Sequence, residues 1–467
     1  MSENLIVAKF GGTSVSNYTS MNRSADVVSA NKNIRLVVLS ASSGVTDRLI
    51  ALAAGKKKNS RIIILDEIFK IQDAIIKKMK QQRVLYYQIR CIMRNIVSLS
   101  ESAERNPSLE LTDELMSYGE VMSTFLFVEV LHQRHVAVEW FDVRRVMRTN
   151  SRFGCAEPKI SDLLGLVNHH LKPRIKESLI VTQGFIGQEG NGRTTTLGRG
   201  GSDYTASILG EALHAHSINI WTDVPGIYTT DPHLIPSAKR IDKITLEEAS
   251  VMATFGAKVL HPSTLLPALR SDMSVFVGSS KNPMDGGTIV CHKMHNLPIF
   301  RAITLRRQQI LLTLRSRNVL CNPLYMDEVF KILACHSFSL DLMMLSDSSF
   351  LLTLDSTRKN FFQNSVLTQS LLDDLSLVCE VEIEDNLALV VIIGNQISGC
   401  YSISQEIFSL LDLFNIRLMC YRFSRSTLCY LVHGHEAEQI MQILHRKMFE
   451  EKTEWGTDLD KPQYSVR

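Results

Sequence analysis

Up to about residue 290, short apolar runs alternate with helical stretches, and glycine-rich stretches fall where strands should end. No other feature constrains the fold as much. Leu5-Ile6-Val7-Ala8, Arg35–Ser40 and Leu179–Ile186 read as buried strands, and the stretch from about Leu65 to Leu99 as helix. Such alternation predicts an α/β domain on a mostly parallel sheet covered by helices, with ligands at the carboxyl ends of strands. The first run feeds directly into Lys9-Phe10-Gly11-Gly12-Thr13-Ser14-Val15. Glycines there let the backbone approach a ligand, and the lysine adds one positive charge. Read alone, the heptad fits either a tight strand-to-helix turn with a solvated lysine or a phosphate site. The phosphate site would be built from N–H groups, the lysine and a helix start. It is not a Walker loop, because G-x-x-x-x-G-K-[ST] is absent.

After about residue 300 an internal repeat appears. Glu328–Leu333 through Ser337–Leu340 lies on Glu406–Leu411 through Asn415–Leu418 at a constant offset of 78 residues, and each copy follows a β-run, Ile310–Leu314 or Ala388–Ile392. Two small tandem α/β modules of this kind point to regulation or dimerisation more than to chemistry.

At 467 residues two to four domains are expected. Lys plus Arg (51) nearly balances Asp plus Glu (48), so no bulk field draws the chain to nucleic acid or anionic lipid. Lys56–Lys58 and Lys77-Lys78 read as solvated faces. The nine cysteines form no C-x-x-C pair, so neither a zinc ribbon nor a redox pair is suggested, and the set fits reduced thiols in a cytoplasmic protein. No apolar run approaches the roughly 20 residues of a membrane helix.

Four further stretches carry chemistry. In Thr194–Thr205, Gly198, Gly200 and Gly201 surround Arg199, and Ser202 or Asp203 is expected to cap the helix that follows. Such a helix start favours an anion, and Arg199 can fork onto a carboxylate or phosphate. In Trp221–Pro232, Thr222 and Asp223 stand at a strand end, where they can meet a ribose or a metal-bound water. Phe255–Pro262 offers a second lysine, Lys258, and His261, whose place before proline reads as structural. Glu120, in Ser117-Tyr118-Gly119-Glu120, reads on its own as a solvated helix residue.

Taken together, KFGGTSV, SASSGVTD (40–47), LMSYGE (115–120), TTTLGRGGSDYTA (194–206), WTDVPGIYTTDP (221–232) and TFGAKVLHP (254–262) resemble the motif series of the aspartate kinases, in order and spacing. The tandem repeats resemble ACT modules, so the likeness spans essentially the whole chain and is nearest the lysine-sensitive, monofunctional type. It implies an amino-acid kinase fold over 1–295 and ACT-like modules over 308–385 and 386–467, with no second enzyme fused downstream. The implied reaction is ATP plus L-aspartate giving ADP and 4-phospho-L-aspartate with Mg2+, at the entry to lysine, threonine and methionine synthesis. By the same resemblance Lys9 and Lys258 sit on the phosphates, Gly11 and Gly12 donate N–H groups beside Phe10, and Asp203 organises the lysines or the metal. Arg199 clamps the α-carboxylate of aspartate and Glu120 its ammonium, with Thr46, Gly200, Gly201 and Ser202 holding the substrate. Thr222, Asp223, Tyr228, His233 and Val259 line the nucleotide. No metal site of protein ligands alone is expected. Lys9 reads as a surface charge whose loss spares the fold. First modules pair into a homodimer, with dimers of dimers as a further step.

Lysine, as effector, would be held by Val319, Asn322, Tyr325, Met326, Ser339, Leu340, Asp341, Ser346 and Asp347, beside a helix beginning near Asp327. Here the chain departs from the pattern: Leu324 replaces a glycine, Pro323 stiffens the turn, and Asp347 stands for a glutamate. Weakened lysine feedback is the expectation. His233 stands for an arginine at the nucleotide, so a somewhat raised Michaelis constant for ATP is expected. Two alternatives remain at this point: a catalytically silent amino-acid sensor, against which intact Lys9, Glu120, Arg199, Asp203 and Lys258 argue, and a kinase of the same fold for another carboxylate such as glutamate.

Overall fold

The computed structural model describes residues 4–256, 260–316, 323–336, 342–345, 349–355, 367–395, 397, 401–421 and 427–451. The chain divides into two units, one of residues 1–228, 240–254 and 258–295, the other of 229–239, 255–257 and 296–467.

The strands of the first unit are β1 (Ile6–Phe10), β2 (Ile34–Leu39), β3 (Val138–Phe141), β4 (Leu179–Gln183), β5 (Ile186–Gln188), β6 (Thr194–Thr196), β7 (Ser217–Thr222), β8 (Ile227–Tyr228), β9 (Arg240–Ile241), β10 (Lys243–Thr245), β11 (Ser274–Ser279) and β12 (Gly287–Cys291). Eight of them form one sheet in the order β10-β12-β11-β7-β1-β2-β4-β3. Every neighbouring pair is parallel except β11 with β12. β1 lies inside the sheet between β2 and β7, so its side chains Val7, Ala8 and Phe10 are fully buried, as an apolar run without alternation requires. β5–β6 and β8–β9 are separate two-stranded ribbons.

The helices are α1 (Tyr18–Ala30), α2 (Val45–Ala53), α3 (Lys58–Ile76), α4 (Gln82–Arg105), α5 (Leu109–His132), α6 (Ile160–Leu166), α7 (Lys172–Glu177), α8 (Gly201–Leu213), α9 (Leu246–Thr254) and α10 (Pro262–Ser271). Side-chain caps start several of them: Asn17 accepts from the Ser20 N–H and Ser108 from the Leu111 N–H. The single helix expected over 65–99 is two, broken at 77–81. One continuous helix would run about 50 Å; the break lets Ile68, Ile75 and Ile76 of α3 and Leu85, Ile89, Ile92 and Ile96 of α4 bury in one core. Lys56–Lys58, Lys77 and Lys78 are exposed, the solvated faces expected. The strand expected over 179–186 ends at Gln183, because Phe185 takes φ +69° and turns the chain out of the sheet into β5.

The second unit contains β13 (Phe300–Ser316), α11 (Pro323–Cys335), β14 (Leu342–Leu345), β15 (Ser349–Asp355), α12 (Gln369–Val378), β16 (Cys379–Gly394), α13 (Tyr401–Leu411), β17 (Leu418–Tyr421), β18 (Thr427–His433) and α14 (Ala437–His445). Each repeat is therefore strand, helix, two strands, helix. All the strands join one antiparallel sheet, β14-β15-β13-β16-β18-β17, whose order is symmetric about the β13–β16 pair. Gln308 and Asn386, 78 residues apart, both adopt φ +56°, so the repeat extends to a left-handed kink at the same place in each long strand. The expected division at 385/386 falls inside β16, and residue 308 falls inside β13. The helix expected near Asp327 begins at Pro323, whose fixed φ suits a first helical position.

Candidate active site

The carboxyl ends of β1, β2 and β7 come together, and each is followed by one of the glycine- or serine-rich turns. Lys9, next to last on β1, is only 11% exposed in its side chain and pairs with Asp203, on the first turn of α8, itself 14% exposed. It is not the surface charge its sequence setting implied, because β1 is interior. A pair so desolvated persists only with close partners on both sides. Phe10 points into the core against Phe127 and Trp221, so this residue offers the site backbone only, and its carbonyl accepts from the Ser40 N–H (3.2 Å).

The two glycines divide their work. The Gly11 N–H donates to the Trp221 carbonyl (3.0 Å), tying β1 to β7, so it is not a phosphate donor as expected. The Gly12 N–H opens a short 3-10 turn over Gly12–Val15, a position where N–H groups lack an intrahelical acceptor. A Cβ at Gly12 would lie 2.8 Å from the Ala41 carbonyl oxygen, so only glycine lets the turns after β1 and β2 pack this closely.

Glu120 departs most from its reading as a solvated residue. It is buried at the centre of α5; its Oε1 accepts from the Ala41 N–H (3.2 Å), while its Oε2 has no partner among the described residues. Burial pushes its carboxyl up to about 8, against backbone hydrogen bonds from Ala41 and from Glu120 itself that favour the ionised form. Thr46 is half-buried in the first turn of α2, which starts at the same loop.

α8 begins at Gly201, and its cap is Gly200, not Ser202 or Asp203. Gly200 takes φ +75°, and a Cβ there would lie 2.5 Å from the His261 side chain. With the cap already made by backbone, Ser202 is buried and Asp203 is left for Lys9. Arg199 is exposed and forms no ion pair with a described residue. His261 caps α10 by accepting from the Ser263 N–H (3.4 Å), the structural role expected.

On the other side of β1, Thr222 Oγ1 donates to Asp223 Oδ1 (3.1 Å), and Tyr228 pairs with Arg240 across the β8–β9 ribbon. Two serines that the sequence reading did not single out join them. Ser14 and Ser280 hydroxyls are 2.6 Å apart, and Ser280 donates to the Thr222 carbonyl. The signal was present, since Ser279-Ser280 follow the apolar run of β11 just as the glycines follow β1. His233 belongs to the second unit. It is exposed, its N–H donates to Asp231 Oδ1 (2.9 Å), and the segment opens at Thr229, hydrogen-bonded to the buried His445 (3.0 Å).

Lys258 and Val259 lie outside the described residues, as do Val319, Asn322, Ser339, Leu340, Asp341, Ser346 and Asp347. Tyr325 and Met326 lie in the first turn of α11, packed against the core of the first repeat. Among the described residues no group of three His, Cys, Asp or Glu side chains is placed to hold a metal, and no helix is long and apolar enough to cross a membrane.

The model of the amino acid kinase family matches residues 4–279. Lysine-sensitive aspartokinase 3 of Escherichia coli is 56% identical over 450 residues, covering 96% of this chain and all of the relative. A crystal structure of E. coli aspartokinase III in complex with aspartate and ADP, in the R-state, superposes with a TM-score of 0.90 at 55% identity, covering 96% of this chain and 100% of the other. The T-state structure of that enzyme with lysine and aspartate gives 0.81 at the same identity and coverage.

Proposed function

The chain belongs to the aspartokinases of the amino acid kinase family, and we propose that it transfers the γ-phosphoryl group of ATP to the β-carboxylate of L-aspartate, releasing ADP and 4-phospho-L-aspartate. Glu120 carries the reading: a buried carboxylate on α5, bonded to the Ala41 turn that packs against Gly12 and with its other oxygen unpartnered among the described residues, calls for a small cationic donor. The ammonium of an amino acid meets that need with three N–H groups. The free guanidinium of Arg199 takes the α-carboxylate as a two-pronged donor, and Thr46, Gly200, Gly201 and Ser202 enclose the rest. With both ends of aspartate held, its β-carboxylate is aligned for in-line attack, positioning worth several kcal/mol. A carboxylate is already a competent nucleophile, so the site needs no general base.

Lys9 and Lys258 neutralise the charge that shifts onto the leaving phosphate, and the Gly12 N–H adds a backbone donor. Asp203 keeps Lys9 aimed. Thr222, Asp223, Tyr228 and Val259 line the nucleotide, with His233 beyond them in the chain. Mg2+ arriving with the nucleotide asks the protein for only one or two carboxylates. Asp203 and Asp223 would hold it, and the ion would supply charge neutralisation at the phosphates. The two repeats form the regulatory part, with lysine as an effector whose hold is weakened by the substitutions at 323–326 and 347. The homodimer forms through the first repeat, where the edge strand β14 exposes Met343, Met344 and Leu345. The enzyme acts in the cytoplasm at the head of lysine, threonine and methionine synthesis.

Aspartate-dependent ADP formation, with the acyl phosphate trapped as a hydroxamate, tests the reading. Turnover with glutamate and none with aspartate would overturn it.

A further inference from the structure

α5 carries a second buried carboxylate, two turns before Glu120. Asp113 is wholly inaccessible, and both of its oxygens are engaged. Oδ2 accepts from the Gly154 N–H (2.9 Å) and the Thr196 N–H (2.9 Å), while Oδ1 accepts from the Thr196 hydroxyl (2.6 Å) and the same Gly154 N–H (3.0 Å). No described cation pairs with it. The Gly154 and Thr196 N–H groups can only donate, so Oδ2 must stay an acceptor, and an amide NH2 placed at Oδ1 would meet the shared Gly154 N–H. Burial pushes the Asp113 carboxyl up to about 6, which still leaves it ionised near neutral pH.

Its partners are the two segments that frame the arginine loop. Thr196 ends β6, three residues before Arg199, and its carbonyl accepts from the Ala156 N–H (2.8 Å). Gly154 lies against Gly198, where a Cβ would come within 3.3 Å of the Gly154 carbonyl oxygen. A spacing of seven residues is two helical turns, so Asp113 and Glu120 share one face of α5, about 10 Å apart along its axis.

On the reading that Arg199 and Glu120 grip the carboxylate and ammonium of aspartate, on which this rests, we propose that Asp113 is a positioning residue. It ties the arginine loop to the helix that bears Glu120, so that both grips converge on one amino acid. Asp113 touches no substrate and acts through Arg199.

The test compares steady-state kinetics of the wild type, Asp113→Asn, Thr196→Val, Arg199→Ala and the Asp113→Asn/Arg199→Ala double variant, with both substrates varied. Loss of register at the loop is expected to raise the KM for aspartate about tenfold or more in Asp113→Asn. The KM for ATP should stay within about twofold, and the double variant should be no worse than Arg199→Ala alone, because the two act in series. An unchanged KM for aspartate in a folded Asp113→Asn would overturn the proposal. So would equal rises for both substrates, or additive losses in the double variant. If Asp113→Asn does not fold, Thr196→Val decides, since it removes only one hydroxyl donor: a rise of about threefold confined to aspartate supports the role, and none overturns it. A wild type without aspartate-dependent turnover would overturn the proposed function along with it, whereas an active wild type with a normal Asp113→Asn overturns the positioning role alone.

Discussion

Aspartate binding should release a proton, because Glu120 enters the encounter mostly protonated. Its carboxyl is pushed up to about 8 by burial, with one oxygen on the Ala41 N–H and the other without a partner among the described residues. At pH 7 a group of that pKa is about nine-tenths neutral. An ammonium seated against Oε2 favours the ionised form and draws the pKa down, so between the bound and free values the proton leaves as the ligand enters. The penalty for ionising first is about 1.4 kcal/mol at pH 7 and fades above pH 8. Apparent aspartate affinity should therefore rise about 25-fold between pH 6.5 and 8.5, a window in which the substrate's own carboxylates and ammonium barely titrate. Calorimetry in buffers of contrasting ionisation enthalpy should register about 0.9 proton released per aspartate at pH 7. Glu120→Gln should abolish that release and weaken binding. A pH-independent aspartate affinity across the window, or no net proton release at pH 7, would refute the reasoning.

Lys9→Met should lower kcat at least about a hundredfold by removing charge stabilisation at the phosphates. It should also cost about 2–4 kcal/mol in urea unfolding, because Asp203 is left desolvated without its cation; unchanged stability would place Lys9 in solvent after all. Gly200→Ala forces φ +75° on a side chain whose Cβ meets the His261 side chain at 2.5 Å, so a loss of about 1–3 kcal/mol and a higher KM for aspartate are expected. Gly190→Ala, where a Cβ meets nothing within 4 Å, should be silent in the same assays. A lysine titration of kinase activity should show feedback weakened about ten- to hundredfold relative to an intact effector site, and half-inhibition at submillimolar lysine would contradict that.

Much of this chain is written in local pattern. An apolar run such as Leu5–Ala8, read against the glycines after it, is enough to place an interior strand with a tight turn at its end, because period and turn chemistry depend on neighbours in the sequence. The 78-residue repeat is legible for the same reason, although only the folded backbone shows that it extends to the matching left-handed residues Gln308 and Asn386. What the tertiary structure alone decides is who is desolvated and who is paired. Glu120 sits in a helical pattern that looks solvated, yet the turn after β2, some eighty residues away, covers it and shifts its proton affinity. The Gly11 N–H looks free for a phosphate until β7, more than two hundred residues on, supplies the Trp221 carbonyl. Lys9 reads as exposed until α8 brings Asp203 to it, and Asp113 has no motif at all, since its donors come from a loop and a strand remote in sequence. The tandem modules read as separate, but β13 and β16 pair along their length and make one sheet of both. Burial and pairing are sums over residues distant in the chain, and only the folded backbone fixes which of those residues meet.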